Sequence, residues 1–477
     1  MTISFTSADW ASVAPLTIVA VTALVVLLAD LLAPKNANRY VAIGIALVGL
    51  VVAAAVCGRA YFGHDYAAFG GAFIVGGFSV VFEEIILICA FGSILLYGTT
   101  GEKDRIPGAV ALLLWSTCGA MLMAGAGSLM TIFLGLELLS LALYCLCGLA
   151  DRRTAREAAL KYLILSSTAS GFLLFGMALL FGASGSVALA DLVSPALVSN
   201  PLLWLGAGMF LIGIAFKLSL VPFHTWSPDV YEGAPLPVTA FMSVATKAAT
   251  LAVFARFIYA ALPPGVDRRL LLPVWIIAAI SMIAGNVGML AQRDLKRLIA
   301  YSGIAQVGYI LTALAGGTPL GLRYAIYYIA AYTFMNLGAF AVASLLSDDA
   351  EQGSTLANYR GLGHRRPIVA ALMTFFLLAM AGLPPTAGFL GKILILSTSV
   401  DTGYAWLGVV LIVGTAISLY AYAKVIFAMY TPEGHGHTHD VRPFAPLAWI
   451  SAVACFVLVL LMTFYPLTPS NVLPLVR

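Results

Sequence analysis

Five ionisable side chains lie inside stretches that are otherwise apolar. They are Glu137 in TIFLGLELLSLALY, Lys217 in AFKLSLVPFHTW, Lys247 in FMSVATKAATLAVF, Lys392 in AGFLGKILIL and Lys424 in YAYAKVIFAMY. A charge at the centre of a membrane helix costs at least about 2.5 kcal/mol, so such residues face a protein interior or water and find partners there. These five residues are therefore the first candidates for chemistry.

Two interpretations of these charges compete. A structural ion pair that locks two helices needs one carboxylate and one lysine, but Glu137 alone does not neutralise three deep lysines. The excess positive charge favours a proton relay of Glu137, Lys217, Lys247 and Lys392. Burial disfavours the charged form of lysine and a nearby carboxylate favours it, so a lysine under both influences can bind and release a proton, whereas arginine stays charged. Lys424 could instead extend towards the membrane interface.

The composition explains these stretches. Of the 477 residues, 61% are hydrophobic and 10% are charged, whereas soluble domains carry about 25% charged residues. The chain is therefore expected to be an integral membrane protein. Its net charge of +4 is spread over short connections, which argues against nucleic-acid binding. The start MTISFTSADW lacks the basic segment of a cleaved signal peptide, so the first apolar stretch should remain as a helix.

The cysteines and short motifs predict no metal and no redox cofactor bound by this chain. All six cysteines lie in apolar segments without the spacing of a ligand set, so we expect buried structural thiols. The sequence contains no phosphate loop, dinucleotide fingerprint or nucleophile motif. The stretch EGHGHTHD, residues 433–440, could bind a metal weakly, but a solvated linker is the favoured interpretation because no scaffold fixes the ligands.

Fourteen stretches are long and apolar enough to span a bilayer, which takes about 20 residues each. No connection between them is large enough for a soluble domain. The predicted fold is therefore all-α and integral to the membrane, with residues 1–477 as one domain. The predicted segments are 12–34, 40–62, 78–99, 107–127, 129–150, 157–182, 202–223, 236–262, 270–291, 295–315, 321–346, 368–399, 404–430 and 443–466.

The orientation follows from lysine and arginine in the connections, which concentrate on the cytoplasmic side of a membrane protein. Connections after odd-numbered segments carry fourteen of these residues, and the other side carries four. With an even number of segments, both termini are then expected outside, which is the periplasm in a bacterium.

Prolines interrupt two of the segments. Pro222 follows Lys217 in the seventh segment, and Pro384 and Pro385 precede Lys392 in the twelfth. Because proline has no N–H, the carbonyl four residues before Pro222 is expected to lose its helical partner. Within a membrane such a loss is tolerated only where protein or water replaces the partner. The break should therefore give water and proton carriers a place to bind beside the lysine.

Three polar residues follow the first break. His224 titrates near neutrality and could either pass protons on or cap a helix end. Asp229 and Glu232, in PDVYEGAP, could cap a helix or line a water entrance. Capping is favoured for the two carboxylates because helix ends need hydrogen-bond acceptors.

The two breaks are five segments apart, so the interrupted segments run in opposite directions. Paired interrupted helices in inverted repeats are typical of transport sites near the membrane midplane. We therefore predict an N-terminal three-helix part (1–106), a first repeat of segments 4–8 (107–262), a second repeat of segments 9–13 (270–430) and a C-terminal helix (443–477). The second repeat lacks a carboxylate equivalent to Glu137, and its tenth segment offers only Tyr301, Ser302, Gln306 and Tyr309.

Long motifs in this sequence resemble a known family, the antiporter-like subunits of respiratory complex I. The similarity is greatest to the subunit N family of bacterial NADH-quinone oxidoreductases, which is related to mitochondrial subunit 2. It covers about residues 12–466, and the motifs that carry it are FLGLELLSLALYCLCGL, EAALKYLILSSTASGFLLFGMALLFGASGS, FKLSLVPFHTWSPDVYEGAPLPVTAFMSVATKAA, DLKRLIAYSGIAQVGYIL and PPTAGFLGKILIL.

The resemblance implies a role for each buried charge. Glu137 is similar to the family's carboxylate in the fifth helix, and Lys217 to the lysine of the broken seventh helix. Lys247 is similar to the central lysine of the eighth helix. Lys392 is similar to the lysine of the broken twelfth helix, where the related subunit M family usually has glutamate. His224, Lys424, Tyr301 and Gln306 are further candidates for the relay.

The resemblance also implies a function and partners. Members of the family translocate protons, driven by NADH oxidation and quinone reduction in other subunits of the complex. NADH, FMN, iron–sulfur clusters and quinone are then expected on partner subunits. The implied partners of this chain are a neighbouring antiporter-like subunit, small membrane subunits and lipids, in the bacterial inner membrane.

The sequence departs from the family pattern at five positions. Thr246 replaces a usual proline, so the eighth helix should be less bent, and Gln306 replaces a common histidine, which removes one titratable group. Leu16 stands where a glutamate is frequent, and Glu83 and Glu84 stand where basic or neutral residues are more familiar.

Two other functions remain open at the level of sequence. One is a subunit of a multi-subunit Na⁺/H⁺ antiporter, which shares the family fold. The other is a scaffold whose lysines only hold helices together. Lys392 and the whole-length similarity favour the complex I subunit over the antiporter subunit.

Overall fold

A computed structural model of the chain describes residues 6–32, 38–61, 65–99, 105–192, 199–260, 271–346, 355–432 and 445–464. Most of these residues are helical. The α-helices are α1 (Ser7–Ser12), α2 (Ala14–Leu32), α3 (Asn38–Tyr61), α4 (Gly77–Leu96), α5 (Ile106–Ala124), α6 (Leu129–Cys147), α7 (Arg153–Ser184), α8 (Pro201–Lys217), α9 (Trp226–Gly233), α10 (Leu236–Ala260), α11 (Leu272–Leu290), α12 (Leu295–Leu314), α13 (Pro319–Leu346), α14 (Leu362–Arg365), α15 (Pro367–Ala381), α16 (Ala387–Asp401), α17 (Ala405–Tyr430) and α18 (Pro446–Phe464).

The predicted membrane segments are confirmed. Within the described ranges, twelve helices are long and apolar enough to cross a membrane, and two shorter apolar helices, α8 and α15, belong to the interrupted segments. The seventh predicted segment is α8, which an irregular stretch separates from α9. The twelfth is divided into α15 and α16. The inverted repeat of five helices stays a prediction.

A small β-hairpin lies between α3 and α4, which the all-α prediction did not include. Its strands, β1 (Tyr66–Ala68) and β2 (Phe73–Val75), pair antiparallel with Ala67 opposite Ile74. The Ile74 N–H donates to the Gly125 carbonyl at 2.7 Å. The hairpin therefore packs on the turn between α5 and α6 at one end of the bundle.

The core of the bundle is formed by α10, α12 and α13. α10 is buried along its full membrane-spanning length, and α12 and α13 are buried nearly throughout. In contrast α2, α3, α17 and α18 expose large apolar side chains such as Leu32 and Phe427. Since lipid solvates such side chains, the outer helices form the lipid-facing wall, and charges on α10 lie at the centre of the protein.

At the first break the helix ends before its proline. α8 closes with the Leu220 N–H donating to the Ala215 carbonyl and the Ser219 N–H donating to the Phe216 carbonyl, both at 2.9 Å. This pair of bonds is a Schellman motif, in which one residue adopts a left-handed conformation. Here that residue is Ser219, with φ +58°. The helical turns therefore end before Pro222, and the proline lies within the irregular stretch that interrupts the seventh segment.

The second break has the same backbone motif. α15 closes with the Leu383 N–H donating to the Leu378 carbonyl and the Gly382 N–H donating to the Ala379 carbonyl, both at 3.1 Å. Gly382 takes the left-handed position with φ +83°. In both breaks a cis-proline lies three residues after the left-handed residue. The two interruptions thus have one backbone design.

Candidate functional site

Lys247 lies at the centre of the core on α10, with 1% of its surface exposed. Among the described residues no hydrogen-bond acceptor is assigned to its ammonium. The Nζ atom instead lies 5.9 Å from the centre of the Tyr231 ring and 5.7 Å from that of Tyr332. Gly303 on α12 leaves room for it, because a Cβ atom there would clash with Nζ. The Lys247 ammonium is therefore positioned by two aromatic rings and by the space that Gly303 leaves beside it.

Lys217 is the last residue of α8 and is 2% exposed. Its Nζ donates to the Tyr162 hydroxyl at 3.2 Å and to Ser166 Oγ at 3.0 Å, both on α7. The Tyr162 ring also lies 4.9 Å from Nζ. The Lys217 ammonium is therefore solvated by neutral side-chain hydroxyls of the neighbouring helix α7.

Glu137, half-buried on α6, joins the same face of α7. Its Oε1 accepts from Ser170 Oγ at 2.6 Å. Ser166 and Ser170 are four residues apart and therefore neighbours on one helical face. The carboxylate and the Lys217 ammonium are within electrostatic reach but form no direct ion pair in the described structure. Two serine hydroxyls on one stripe of α7 lie between the two charges.

Lys392 on α16 is 5% exposed and reaches back across the second break. Its Nζ donates to the Ala381 carbonyl at 2.9 Å and to the Met380 carbonyl at 3.3 Å. These carbonyls end α15, where the helix dipole leaves partial negative charge. The Tyr309 ring adds an aromatic face 4.8 Å from Nζ. The third ammonium is thus held by main-chain oxygens.

Gln306 continues the site from Lys392 towards the centre. Its Nε2 donates to the Met380 carbonyl at 3.2 Å, the same oxygen that Lys392 contacts. Its Oε1 accepts from the Tyr328 hydroxyl. Tyr328 lies one helical turn from Tyr332 on α13, and Tyr332 packs beside the central ammonium. Polar and aromatic side chains therefore extend from Lys247 to Lys392.

The sequence interpretation missed the residues that link the charges. Tyr162, Ser166 and Ser170 recur at four-residue spacing on α7, and Tyr328 and Tyr332 do so on α13. Polar groups at this spacing share one face of a helix. That recurrence within apolar segments is a signal that could have identified them.

Other candidates lie away from the three ammonium groups. The half-buried His224 ring is 6.5 Å from the half-buried Tyr301 ring. Lys424 is exposed, and its Nζ donates to the Leu290 carbonyl at the end of α11, 3.3 Å away. Contacts between these three side chains and the buried ammonium groups are absent from the described structure. They remain predicted members of the relay.

Asp229 and Glu232, expected to act as caps, form ion pairs instead. Asp229 pairs with Lys161 at 3.0 Å and with Arg297 at 2.7 Å. Glu232 pairs with the same Arg297 at 2.7 Å. The side chain of Thr225, at the start of α9, makes no capping bond either. The carboxylates therefore join α9 to α7 and α12.

The departures from the family pattern lie partly in buried places. Thr246 donates through Oγ1 to the Met242 carbonyl at 2.6 Å within an uninterrupted α10. Glu83 is 6% exposed and accepts from Cys57 Sγ at 3.2 Å, away from the lysines. Leu16 lies half-buried on α2, and Glu84 is half-buried beside Glu83. These four residues are not among the side chains that extend from Lys247 to Lys392, which are Tyr332, Tyr328 and Gln306.

Of the two expectations about metal-binding residue types, only the one about the cysteines has an outcome. Five of the six cysteines are buried as expected, whereas Cys145 is exposed. The histidine stretch 433–440 lies outside the described residues.

The fold and the site define a class of protein. Within the described ranges, helices long and apolar enough to cross a membrane recur along the chain, and two crossings are interrupted by matched breaks. The ammonium groups of four lysines, Lys217, Lys247, Lys296 and Lys392, are buried inside the bundle. A family model described as NADH:quinone oxidoreductase/Mrp antiporter, transmembrane, matches residues 126–418. This chain belongs to that family.

Close relatives cover nearly the whole chain. The NADH-quinone oxidoreductase subunit N of Trichlorobacter lovleyi is 40% identical over 444 residues, which is 91% of this chain and 90% of the relative. The subunit N 1 of Symbiobacterium thermophilum is 43% identical over 435 residues, covering 88% and 87% of the two chains.

Solved structures agree in fold. A chain of respiratory complex I from Thermus thermophilus, solved with bound aureothin, matches with a TM-score of 0.81 at 33% identity, over 95% of this chain and 97% of the other. A chain of the Mrp complex from Dietzia sp. matches with a TM-score of 0.81 at 20% identity, over 96% and 95%. The second likeness concerns the fold alone.

Proposed function

We propose that this chain is the proton-translocating, antiporter-like membrane subunit N of a bacterial NADH-quinone oxidoreductase. The observation that carries the proposal is the burial of Lys217, Lys247 and Lys392, each without a direct carboxylate partner among the described residues, in a chain whose relatives are named subunit N. An uncompensated ammonium inside a bundle is costly. Three of them serve a function in which the charge comes and goes.

The proposed relay begins at Glu137 and Lys217. The serine stripe on α7 lets the carboxylate and the ammonium influence each other without an ion pair. When Glu137 is ionised, the charged form of Lys217 is favoured, and when its charge is neutralised, Lys217 releases its proton more easily. Glu137 thereby acts as the switch of the first site.

The central and distal steps use the other two lysines. Lys247 accepts a proton in a pocket of aromatic faces, which stabilise an ammonium without fixing its proton. Lys392 accepts it at the end of α15, where the carbonyl oxygens favour the charged form. Tyr332, Tyr328 and Gln306 line the interval between these sites. Water that enters the interval would complete the hydrogen-bonded connection.

The remaining parts of the proposal concern topology and partners. We assign segments 4–8 and 9–13 to two inverted repeats, and the shared Schellman motif at both breaks supports this. NADH, FMN, iron–sulfur clusters and quinone belong to partner subunits, and membrane subunits adjoin this chain. The location is the bacterial inner membrane, with both termini periplasmic, as the loop charges favour.

Proton pumping by the purified complex in liposomes tests this function. Lys247→Ala should leave the complex assembled and lower the number of protons pumped per NADH oxidised, because the central site is lost. Assembly with an unchanged ratio would refute the relay and leave the chain as a scaffold. A ratio that depends on added Na⁺ in the unmodified complex would favour sodium/proton antiport instead.

A further inference from the structure

Three aromatic rings, Tyr162, Trp226 and Tyr231, form a partition between the ammonium groups of Lys217 and Lys247. The Tyr162 ring, which contacts Lys217, stacks on Trp226 with ring centres 4.8 Å apart and planes 6° apart. Trp226 in turn meets the edge of Tyr231 at 6.4 Å, and Tyr231 lies beside Lys247. All three rings are at most 1% exposed. A chain of three contacting rings therefore connects the surroundings of Lys217 to those of Lys247.

The polar atoms of the partition are bonded locally. The Tyr162 hydroxyl accepts from Lys217. Trp226 Nε1 donates to the Phe216 carbonyl at 2.9 Å, and the Tyr231 hydroxyl donates to the Met242 carbonyl at 3.2 Å. None of these bonds joins one side of the partition to the other. In this conformation the hydrogen bonds of these three rings therefore offer no path for a proton from one site to the other.

Trp226 is the first residue of α9, an eight-residue helix between the first break and α10. The outer side of α9 is fastened by ion pairs. Asp229 is bonded at once to Lys161 of α7 and Arg297 of α12. All three side chains are partly exposed, at 36%, 43% and 27%. Ion pairs of this kind are individually weak and readily broken.

We propose that α9 is a gate between Lys217 and Lys247, in which Trp226 is the barrier and Asp229 the positioning residue that holds it closed. This inference rests on the proposed function. Asp229 is paired with Lys161 of α7 in the first predicted repeat and with Arg297 of α12 in the second. A movement of one repeat relative to the other therefore strains the ion pairs of Asp229. Opening turns Trp226 away from Tyr162 and admits water between the two ammonium groups.

The test measures passive proton conductance of liposomes that contain the complex without NADH, and then the protons pumped per NADH. Asp229→Asn should raise the passive conductance roughly three- to tenfold and lower the pumping ratio, since two of the three ion pairs that fasten α9 are lost and only the pair of Glu232 with Arg297 remains. Asp229→Glu should restore both. Glu157→Gln is the matched control, because Glu157 pairs with the same Lys161 at 2.9 Å but lies on α7 itself.

A second variant tests the barrier directly. Trp226→Leu should raise the passive conductance at least as much, and Asp229→Asn should add nothing to it if both act through α9. An assembled Asp229→Asn complex with unmodified conductance would overturn the inference, as would an equal effect of Glu157→Gln. These outcomes can be told apart from a failure of the proposed function, which Lys247→Ala tests separately.

Discussion

The two helix breaks share a backbone and differ in how they hold a lysine. In the first, Lys217 lies on the helix that ends, and hydroxyl groups of a neighbouring helix solvate it. In the second, Lys392 lies on the helix that begins, and it caps the carbonyls of the helix that ended. The same backbone interruption thus surrounds Lys217 with side-chain hydroxyls, which can move, and Lys392 with main-chain carbonyls, which are fixed by the helix end.

This difference indicates a division of labour. Glu137 lies near Lys217, so the charge of the first site responds to a group that can itself gain or lose a proton. Lys392 is stabilised by a helix end, whose partial charge does not titrate. In the proposed relay, the site of Lys217 is therefore suited to switching and the site of Lys392 to receiving a proton and holding it.

The largest effect is expected from Glu137→Gln. The amide still accepts from Ser170, but the negative charge that favours the Lys217 ammonium is lost. We expect the pumping rate to fall roughly tenfold or more, since a nearby opposite charge changes proton affinity by this much. Proton uptake by liposomes during NADH oxidation measures it. If Glu137→Gln pumps like the Glu157→Gln control, the two halves do not differ in the way described.

The second site is tested through its glycine. Gly382→Ala places a Cβ atom 2.8 Å from Lys392 Cδ, at φ +83°. Gly403→Ala has the same φ of +83° with no atom within 4 Å. In both variants the free energy of unfolding should fall by about 1–2 kcal/mol, because alanine is strained in a left-handed backbone conformation. The melting temperature measures this loss.

Only Gly382→Ala should slow pumping, by roughly fivefold. It displaces the Lys392 ammonium from the Met380 and Ala381 carbonyls, and hydrogen bonds to a charged group are strong. Equal pumping by the two glycine variants would mean that the position of Lys392 is unimportant. The comparison between a switching and a receiving site would then lose its second half.

A smaller effect is expected from Ser166→Ala, which removes one acceptor from Lys217. A hydrogen bond to a charged group contributes about 1.5–3 kcal/mol, but Tyr162 remains and water can replace the hydroxyl. The pumping rate should fall a few-fold. Thr168→Ala is the control, because its hydroxyl bonds the Ile164 carbonyl of the same helix on an exposed face. A control as slow as Ser166→Ala would place the effect in α7 as a whole.

The smallest effect is expected from Ser219→Gly, which makes the first break resemble the second. Ser219 holds a left-handed φ of +58°, and its buried hydroxyl has no hydrogen-bond partner among the described atoms. Glycine removes both penalties and should stabilise the fold by about 1 kcal/mol, seen as a higher melting temperature with unchanged pumping. A lower melting temperature would show that the serine hydroxyl supports the break.

The sequence revealed the charges and the segments but not the contacts that organise them. Apolar length predicts helices, and the burial cost of lysine marks Lys217, Lys247 and Lys392, because both signals are local. Ser219 could not be recognised as the turning point, since only Gly382 has the residue type expected there. The contacts of Trp226 with Tyr162 and Tyr231 depend on tertiary packing, which no spacing in the sequence encodes.

The central claim is that the buried ammonium groups change charge during turnover. The most direct measurement is the number of protons pumped per NADH by an assembled complex that carries Lys247→Arg. Arginine keeps the positive charge at all relevant pH values and does not release its proton. Our account predicts a ratio as low as that of Lys247→Ala. A ratio equal to that of the unmodified complex would show that a permanent charge suffices, which contradicts the relay.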